Sequence, residues 1–255
     1  MTTKRILNLT STKKRDNMQS ITIAADGTGA PGPLLVTGTG FRSLFIPSAR
    51  LKSESAGDHR RNSTSIFVPG YREIVKVDVG GGDSWNWRRV VFTFKSSILR
   101  DFYENTGTGE MYDSLGDGAG NVPQRAIGVT PTTVTELLEA IIFEGTAGSD
   151  WSNIMTAKVD NERVTLISDR TRVYNPPNES GMSRTHRMYY STRKTIVYDD
   201  DEFDESFASG AYSVMSKAGM GDLYIYDIVV RNSVATDGSA TFRFQPEGTF
   251  YWHER

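Results

Sequence analysis

The sequence predicts an all-β sandwich, and three observations predict it. Short segments rich in β-branched and aromatic residues recur between clusters of Gly, Pro, Asn and Asp, a spacing that suits antiparallel strands and turns better than βαβ units. Several of these segments alternate apolar and polar residues with the period of two that strand side chains have. A single stretch carries a helical period instead. At 255 residues and 37% hydrophobic content the chain can bury a sizeable core. One domain with long loops is expected over residues 17–255, behind a basic segment over residues 1–16.

The candidate strands are residues 17–25, 44–46, 65–79, 86–95, 163–173, 187–197, 223–230 and 240–245. In the fourth, Val90, Phe92 and Phe94 share one face, with Phe92 and Phe94 the expected core pair. Trp87, Arg89, Val91, Thr93 and Lys95 share the other. In the last, Ala240, Phe242 and Phe244 form a dry face opposite Thr241, Arg243 and Gln245. The helical stretch places Val134, Leu137, Leu138, Ile141 and Ile142 at i, i+3, i+4, i+7 and i+8. Thr133 with Glu136 fits a capping box, Thr130-Pro131 is an alternative start, and Gly145 suits the stop. This reads as one short connector helix lying on the sandwich. Residues 106–121 hold five glycines and almost nothing apolar, so a long surface loop is expected.

Charge is distributed unevenly. The first fifteen residues carry Lys4, Arg5, Lys13, Lys14 and Arg15 with no acidic residue, against 24 basic and 31 acidic side chains in the rest. A basic lead-in on a mildly acidic body suits a chain that tethers a polyanion. The absence of cysteine excludes disulfides and thiolate metal sites and favours a reducing compartment. No apolar run is long enough for a membrane helix and no signal-peptide pattern follows Met1. The chain therefore reads as soluble and unexported, with no membrane partner.

Four groups of residues invite a chemical reading. Trp85-Asn86-Trp87-Arg88-Arg89 sets two indoles and Arg89 on one strand face, where bases could stack and a phosphate be held. The reading preferred over it is that the tryptophans pack under a loop or at a subunit contact while the arginines pair with carboxylates. Lys4 and Arg5 with Lys13, Lys14 and Arg15 suit phosphate contact, nuclear import or both, the alternative being a solvated terminus. The run from Asp199 to Glu205 packs six carboxylates into seven positions, which reads as a solvated acidic loop before a cation site. Gly80-Gly81-Gly82-Asp83 is a turn between strands. His59, His186 and His253 lack zinc-pair spacing, and nothing assembles a nucleophile, base and oxyanion site. Neither catalysis nor a cofactor is expected.

Four segments carry a family resemblance, in order along the chain. They are Thr3-Lys4-Arg5-Ile6-Leu7-Asn8 with Lys13-Lys14-Arg15-Asp16-Asn17-Met18, then Trp85-Asn86-Trp87-Arg88-Arg89-Val90-Val91-Phe92-Thr93-Phe94-Lys95. Val197-Tyr198-Asp199-Asp200-Asp201-Glu202 and Met220-Gly221-Asp222-Leu223-Tyr224-Ile225-Tyr226-Asp227 follow. Together they resemble the capsid proteins of genomoviruses, small circular single-stranded DNA viruses whose coat is distantly similar to that of geminiviruses. The resemblance implies an eight-stranded jelly roll that self-assembles into a 60-subunit icosahedral T=1 shell. It implies single-stranded DNA bound without sequence preference, a virion location, and passage through the host nucleus with the host import machinery. The basic arm, Lys4, Arg5, Lys13, Lys14 and Arg15, is the first expected phosphate contact; Trp85, Trp87, Arg88 and Arg89 are second-rank stacking or interface residues.

The family also carries a longer Arg- and Lys-rich arm ahead of the segment that begins here at Thr3. Sixty copies with five charges each hold about 300, against on the order of a thousand phosphates or more in a kilobase-scale circle, so an upstream arm is expected. Jelly rolls also host lectin-like attachment modules, here with the loop over residues 106–121 as the ligand site, and carboxylate-based glycoside hydrolases. Both remain alternatives at the level of sequence.

Overall fold

A computed structural model describes residues 10–24, 28–53, 59–99, 113–115, 122–130, 132–203, 206–232 and 240–255. The strands in chain order are β1 (Thr12–Met18), β2 (Ser20–Ile23), β3 (Gly29–Pro31), β4 (Leu34–Val36), β5 (Gly40–Phe45), β6 (Ser65–Gly80) and β7 (Trp85–Phe94). They continue with β8 (Asp113–Leu115), β9 (Val122–Gly128), β10 (Thr165–Tyr174), β11 (Met182–Phe203), β12 (Ser206–Ser213), β13 (Asp222–Arg231) and β14 (Thr241–Glu254). Helix α1 (Thr132–Ile142) lies between β9 and β10.

Two antiparallel sheets form the sandwich. Sheet I runs β1-β14-β6-β11-β12, with β4 also on β14, and sheet II runs β10-β7-β13-β5. Taking β1, β5, β6, β7, β10, β11, β13 and β14 as the eight principal strands, the orders are 1-8-3-6 and 2-7-4-5. Every step except the fourth to the fifth crosses between sheets. That winding is the jelly roll, two Greek keys folded onto each other. A smaller sheet, β3-β2-β9-β8, contains the parallel pair β2 and β9.

The eight candidate strands all fall on these elements, but the first boundary moves. The segment expected over residues 17–25 straddles the end of β1 and β2, and β1 begins at Thr12. Residues 12–16 of the expected basic segment are thus a sheet strand, paired in register from Thr12 opposite Glu254 to Met18 opposite Gly248.

The two sheets differ in how many faces they bury. In β7 and β13 nearly every residue is buried, because α1 and residues 143–164 cover the outer face of sheet II. Val134, Leu138, Ile142, Phe143, Ile154 and Val159 pack there against Val90, Phe92, Tyr224, Tyr226 and Ile228. Phe92 stacks on Tyr224 at 5.2 Å, and Phe94 is only half-buried. Between the sheets, Tyr71, Val91, Ile225, Phe250 and Trp252 fill one end of the core, and Trp85, Trp87, Val75, Phe242 and Phe244 the other. Each such side chain contributes about 1.5–3 kcal/mol of transfer free energy. In sheet I, β6 and β14 instead alternate buried with exposed or half-buried residues, leaving one wet face.

Three local expectations change. Helix α1 starts at Thr132, which places Thr133 inside the helix, so the start at Thr130-Pro131 fits better than the Thr133–Glu136 box; Pro131 lies outside the described residues. Gly145 takes the left-handed φ of 80° expected of the stop. The acidic run is largely strand: Asp199–Phe203 continue β11, and Arg61 donates to both Asp200 oxygens at 2.6 and 2.9 Å; Asp204 and Glu205 lie outside the described residues. Of the loop expected over residues 106–121, Asp113–Leu115 form β8 and the rest lie outside the described residues.

A creased basic face as the candidate nucleic-acid interface

The tryptophan–arginine motif is core. Trp85 and Trp87 are 0% exposed and Arg89 1%, so this part of the stacking surface expected from sequence is corrected to packing between the sheets. Trp87 and Arg89 point inward from β7 and meet a buried ionic cluster. Arg89 donates to Asp227 through Nε at 2.6 Å and Nη2 at 2.8 Å, and through Nη1 to Glu73. Arg125, from β9, donates to Glu73 at 2.7 Å and to Asp227 at 2.8 Å. Tyr71 and the Trp87 indole each give the carboxylates a further hydrogen bond, at 2.7 and 2.8 Å. Burial alone would raise the Glu73 carboxyl, but Arg89 and Arg125 outweigh it and hold it below the usual range. Arg88 points the other way, to Asp169 at 2.6 and 2.9 Å and to the Ile154 and Ala157 carbonyls. The carboxylate-pairing alternative therefore describes both arginines.

The basic arm divides. Lys4 and Arg5 lie outside the described residues. Strand alternation turns Lys14 inward, where it is buried and meets Glu254 at 2.9 Å, with the Arg60 carbonyl and Asn62 as further acceptors. The same alternation turns Lys13 and Arg15 to the wet face of sheet I. Lys14→Ala leaves the Glu254 carboxylate without its cation and is expected to destabilise the fold by ~3 kcal/mol. Urea unfolding checks this, with Lys13→Ala, on the wet face, expected within about 0.5 kcal/mol of the parent.

A crease crosses the wet face, and its cause is legible in Pro69. Proline has no N–H for the ladder and is rarely tolerated in a central strand. Here β6 is central, and both neighbours lose register at that level, β11 between Ser191 and Lys194 and β14 between Tyr251 and His253. Arg193 adopts φ 48° within the first of these irregularities. Such bulges bend strands and re-aim side chains. The result is a groove of about 590 Å³ lined by Lys13, Arg15, Pro69, Arg72, Tyr189, Tyr251 and His253, with Lys14 at its edge.

The register explains who meets whom. One row across the sheet reads Arg15, Tyr251, Gly70, Ser191, and the next Asn17, Thr249, Arg72, Tyr189. A Cβ on Gly70 would stand 2.7 Å from the Tyr189 hydroxyl and 2.4 Å from the Tyr190 carbonyl oxygen. Glycine at that position lets the 55%-exposed Tyr189 ring lie across the strand. The His253 ring packs against Phe67 at 5.7 Å. Burial, and then Lys13, hold His253 below the usual histidine range, so it presents an uncharged ring at neutral pH. Lys13, Arg15 and Arg72 make no ion pair with the described residues. Farther along the face Arg187, Lys76 and Arg243 stand beside Glu247 and Asp78, and Lys76 meets Asp78 at 3.3 Å. Unpaired cations beside exposed aromatic rings are what a single-stranded polyanion requires: charge for phosphates and π-faces for bases. From sequence, Arg72, Tyr189 and Tyr251 carried no signal; they come together only through strand register.

His186 sits apart, at the lateral opening between β10 and β11. Its Nε2 is 2.8 Å from the Tyr174 hydroxyl, and burial, then Arg172, Arg89 and Arg184, push it down to about 4. A histidine with a depressed folded value contributes stability that is complete above its unfolded value near 6.5 and lost as pH falls toward 4. The melting temperature is therefore expected to drop across that window, and His186→Gln to flatten the drop; differential scanning calorimetry from pH 7 to 4 checks it.

Strand order and this face define the class as a jelly-roll sandwich with one creased, basic and aromatic wet face. No protein-family model matches the chain and no curated protein matches it. Solved structures to which it is similar include the VP1 pentamer of human polyomavirus 7, at 10% identity over 100% of this chain and 97% of that one, with a TM-score of 0.22. The VP1 pentamer of human polyomavirus 6 follows at 10% identity over 94% and 93%, with a TM-score of 0.23. The strand order, not this likeness, defines the fold.

Proposed function

We propose that the chain is a viral capsid subunit that self-assembles into a closed shell, a 60-subunit T=1 icosahedron, and holds circular single-stranded DNA without sequence preference. The observation that carries the reading is the creased face, where Lys13, Arg15 and Arg72 lie beside Tyr189, Tyr251 and His253. Phosphates meet the cations and bases stack on the rings, a mode that tolerates any sequence. In sequence, Lys4 and Arg5 precede β1, so their charge adds to that which Lys13 and Arg15 bring to the inward-facing side. The ordered resemblance of four segments to genomovirus capsid proteins supports the same reading, and with it a virion location and assembly in the host nucleus. Trp85, Trp87, Arg88 and Arg89 act in this scheme as the core that keeps the face rigid.

Light scattering on a sizing column, with absorbance at 260 and 280 nm, tests the proposal. Sixty copies of a 28.3 kDa chain give a particle of about 1,700 kDa with closed symmetry. That mass with excess absorbance at 260 nm is the expected result. A monomer or small oligomer across salt and pH overturns the capsid reading; the full mass without nucleic acid overturns the DNA-holding role of the residues present.

A further inference from the structure

A second recess opens on the side of the sandwich, between β10 of sheet II and β11 of sheet I, away from the creased face. It has a volume of about 430 Å³ and is lined by Arg172, Val173, Tyr174, Asn175, Met182, Arg184 and His186. The geometry points to a phosphomonoester site, in which the Arg172 and Arg184 guanidiniums hold the phosphate and the Val173 and Met182 side chains pack against the group it carries.

The charge argument comes first. Arginines at the centre of this fold have carboxylate partners: Arg50 with Asp16, Arg61 with Asp200, Arg88 with Asp169, and Arg89 and Arg125 with Glu73 and Asp227. Arg172 and Arg184 make no ion pair with the described residues. The Arg172 guanidinium is held over the Trp87 ring at 4.8 Å, its Nη2 reaches only the Met188 sulfur at 3.4 Å, and its Nη1 is enclosed without a hydrogen-bond partner. Burial lowers Arg172 and no carboxylate is among the influences that oppose it. A rigid, stacked fork with unused donors is suited to an oxyanion.

The kind of anion follows from charge and room. Two guanidiniums balance a dianion, and a phosphate monoester carries about −1.5 to −2 at neutral pH where a carboxylate carries one charge. The neighbouring ring adds no competing charge, since His186 is engaged with the Tyr174 hydroxyl and is neutral at pH 7. A recess of about 430 Å³ lies within the range of small-ligand sites, roughly 300–1,000 Å³, and exceeds what a bare phosphate fills. Its lining is mixed, with Asn175 able to meet a hydroxyl and Met182 and Val173 offering apolar contact. Such a site takes a mononucleotide or the terminal phosphate of a strand.

Titration calorimetry on the full chain, with inorganic phosphate and with dAMP as probes in chloride buffer at pH 7, tests this. Saturable binding is expected, weakened by about tenfold or more in Arg172→Gln and in Arg184→Gln, the loss of one charge-assisted contact each. Arg184 is exposed, so the second variant remains informative if the first fails to fold. The variant lacking Lys13, Arg15 and Arg72 is expected to bind both probes as the parent does, which separates this site from the creased face. Tighter binding of dAMP than of inorganic phosphate is expected, with the apolar walls on its sugar and base; equal binding would leave a plain oxyanion site and overturn the phosphomonoester assignment. No saturable heat up to about 10 mM probe, binding lost only in the creased-face variant, or equal displacement by acetate overturns the proposal.

Discussion

Alanine at Lys13, Arg15 and Arg72 together will weaken single-stranded DNA binding by about 100-fold at 0.1 M salt and leave the fold intact. The magnitude follows from counterion release. Each phosphate contact on a single strand adds about 0.7 to the slope of log affinity against log salt, so three contacts contribute roughly 2 units of slope and, at 0.1 M, about 2 log units of affinity. The three side chains project from the wet face of sheet I, and none makes an ion pair with the described residues, so the melting temperature is expected to stay within a few degrees of the parent. Filter binding of an oligothymidine across a salt series reads both numbers. Tyr189→Ala is expected to act differently, lowering affinity by about 1–3 kcal/mol while leaving the salt slope alone, because stacking releases no counterions. An unchanged slope in the triple variant would remove the creased face from the DNA-binding role. Including Lys14 in such a variant would confound it, since Lys14 is bound to Glu254 inside the fold.

Glu73→Ala will be the most destabilising of these substitutions, at about 3–5 kcal/mol, because it leaves Arg89 and Arg125 buried with half their counter-charge. Both guanidiniums and both carboxylates are essentially unexposed, and the strands that supply them come from both main sheets and from β9. For a chain of this length the melting temperature should fall on the order of 10 °C. Taking away charge in balance is a different matter. Glu73→Leu with Arg125→Met is expected to cost less than either change alone, since a buried ion pair replaced by apolar volume is often neutral. Calorimetry of the two single variants and the double variant checks the sign of the coupling. An additive cycle would mean that the cluster acts as separate contacts rather than as one neutral unit.

Much of the architecture was legible. Alternation in residues 65–79 and 240–245 reflects a sheet with one wet and one dry face, which is why β6 and β14 emerge where the period of two predicts them. Residues 86–95 alternate in the sequence as well, but there the alternation separates two buried faces rather than a wet one from a dry one, and residues 223–230 stand out by β-branched and aromatic content. Sheet II is buried on both faces and imposes little alternation of burial on β7 and β13. The helix was found because its outer face is wet: Val134, Leu138 and Ile142 sit on sheet II while Thr132, Thr133, Glu136 and Ala140 remain exposed. In the sequence, residues 12–16 read as a free basic arm because charge dominates their composition, and Lys14 and Asp16 carry no local sign of being buried. Their partners, Glu254 and Arg50, lie 240 and 34 positions away.

The sequence by itself determined the β class, seven of the eight principal strand positions, the helix on the sandwich and the concentration of positive charge at one end. These depend on local period and composition, which neighbouring residues impose on one another. Only the tertiary structure decided which charges are free. Trp87 and Arg89 look like a nucleic-acid contact until Glu73 and Asp227 arrive from other strands, and Arg72, Tyr189 and Tyr251 look like nothing until antiparallel register sets them beside Lys13 and Arg15. The physical reason is that a charge is neutralised by what lies within a few ångströms of it, and in a jelly roll those neighbours come from strands far apart in the chain.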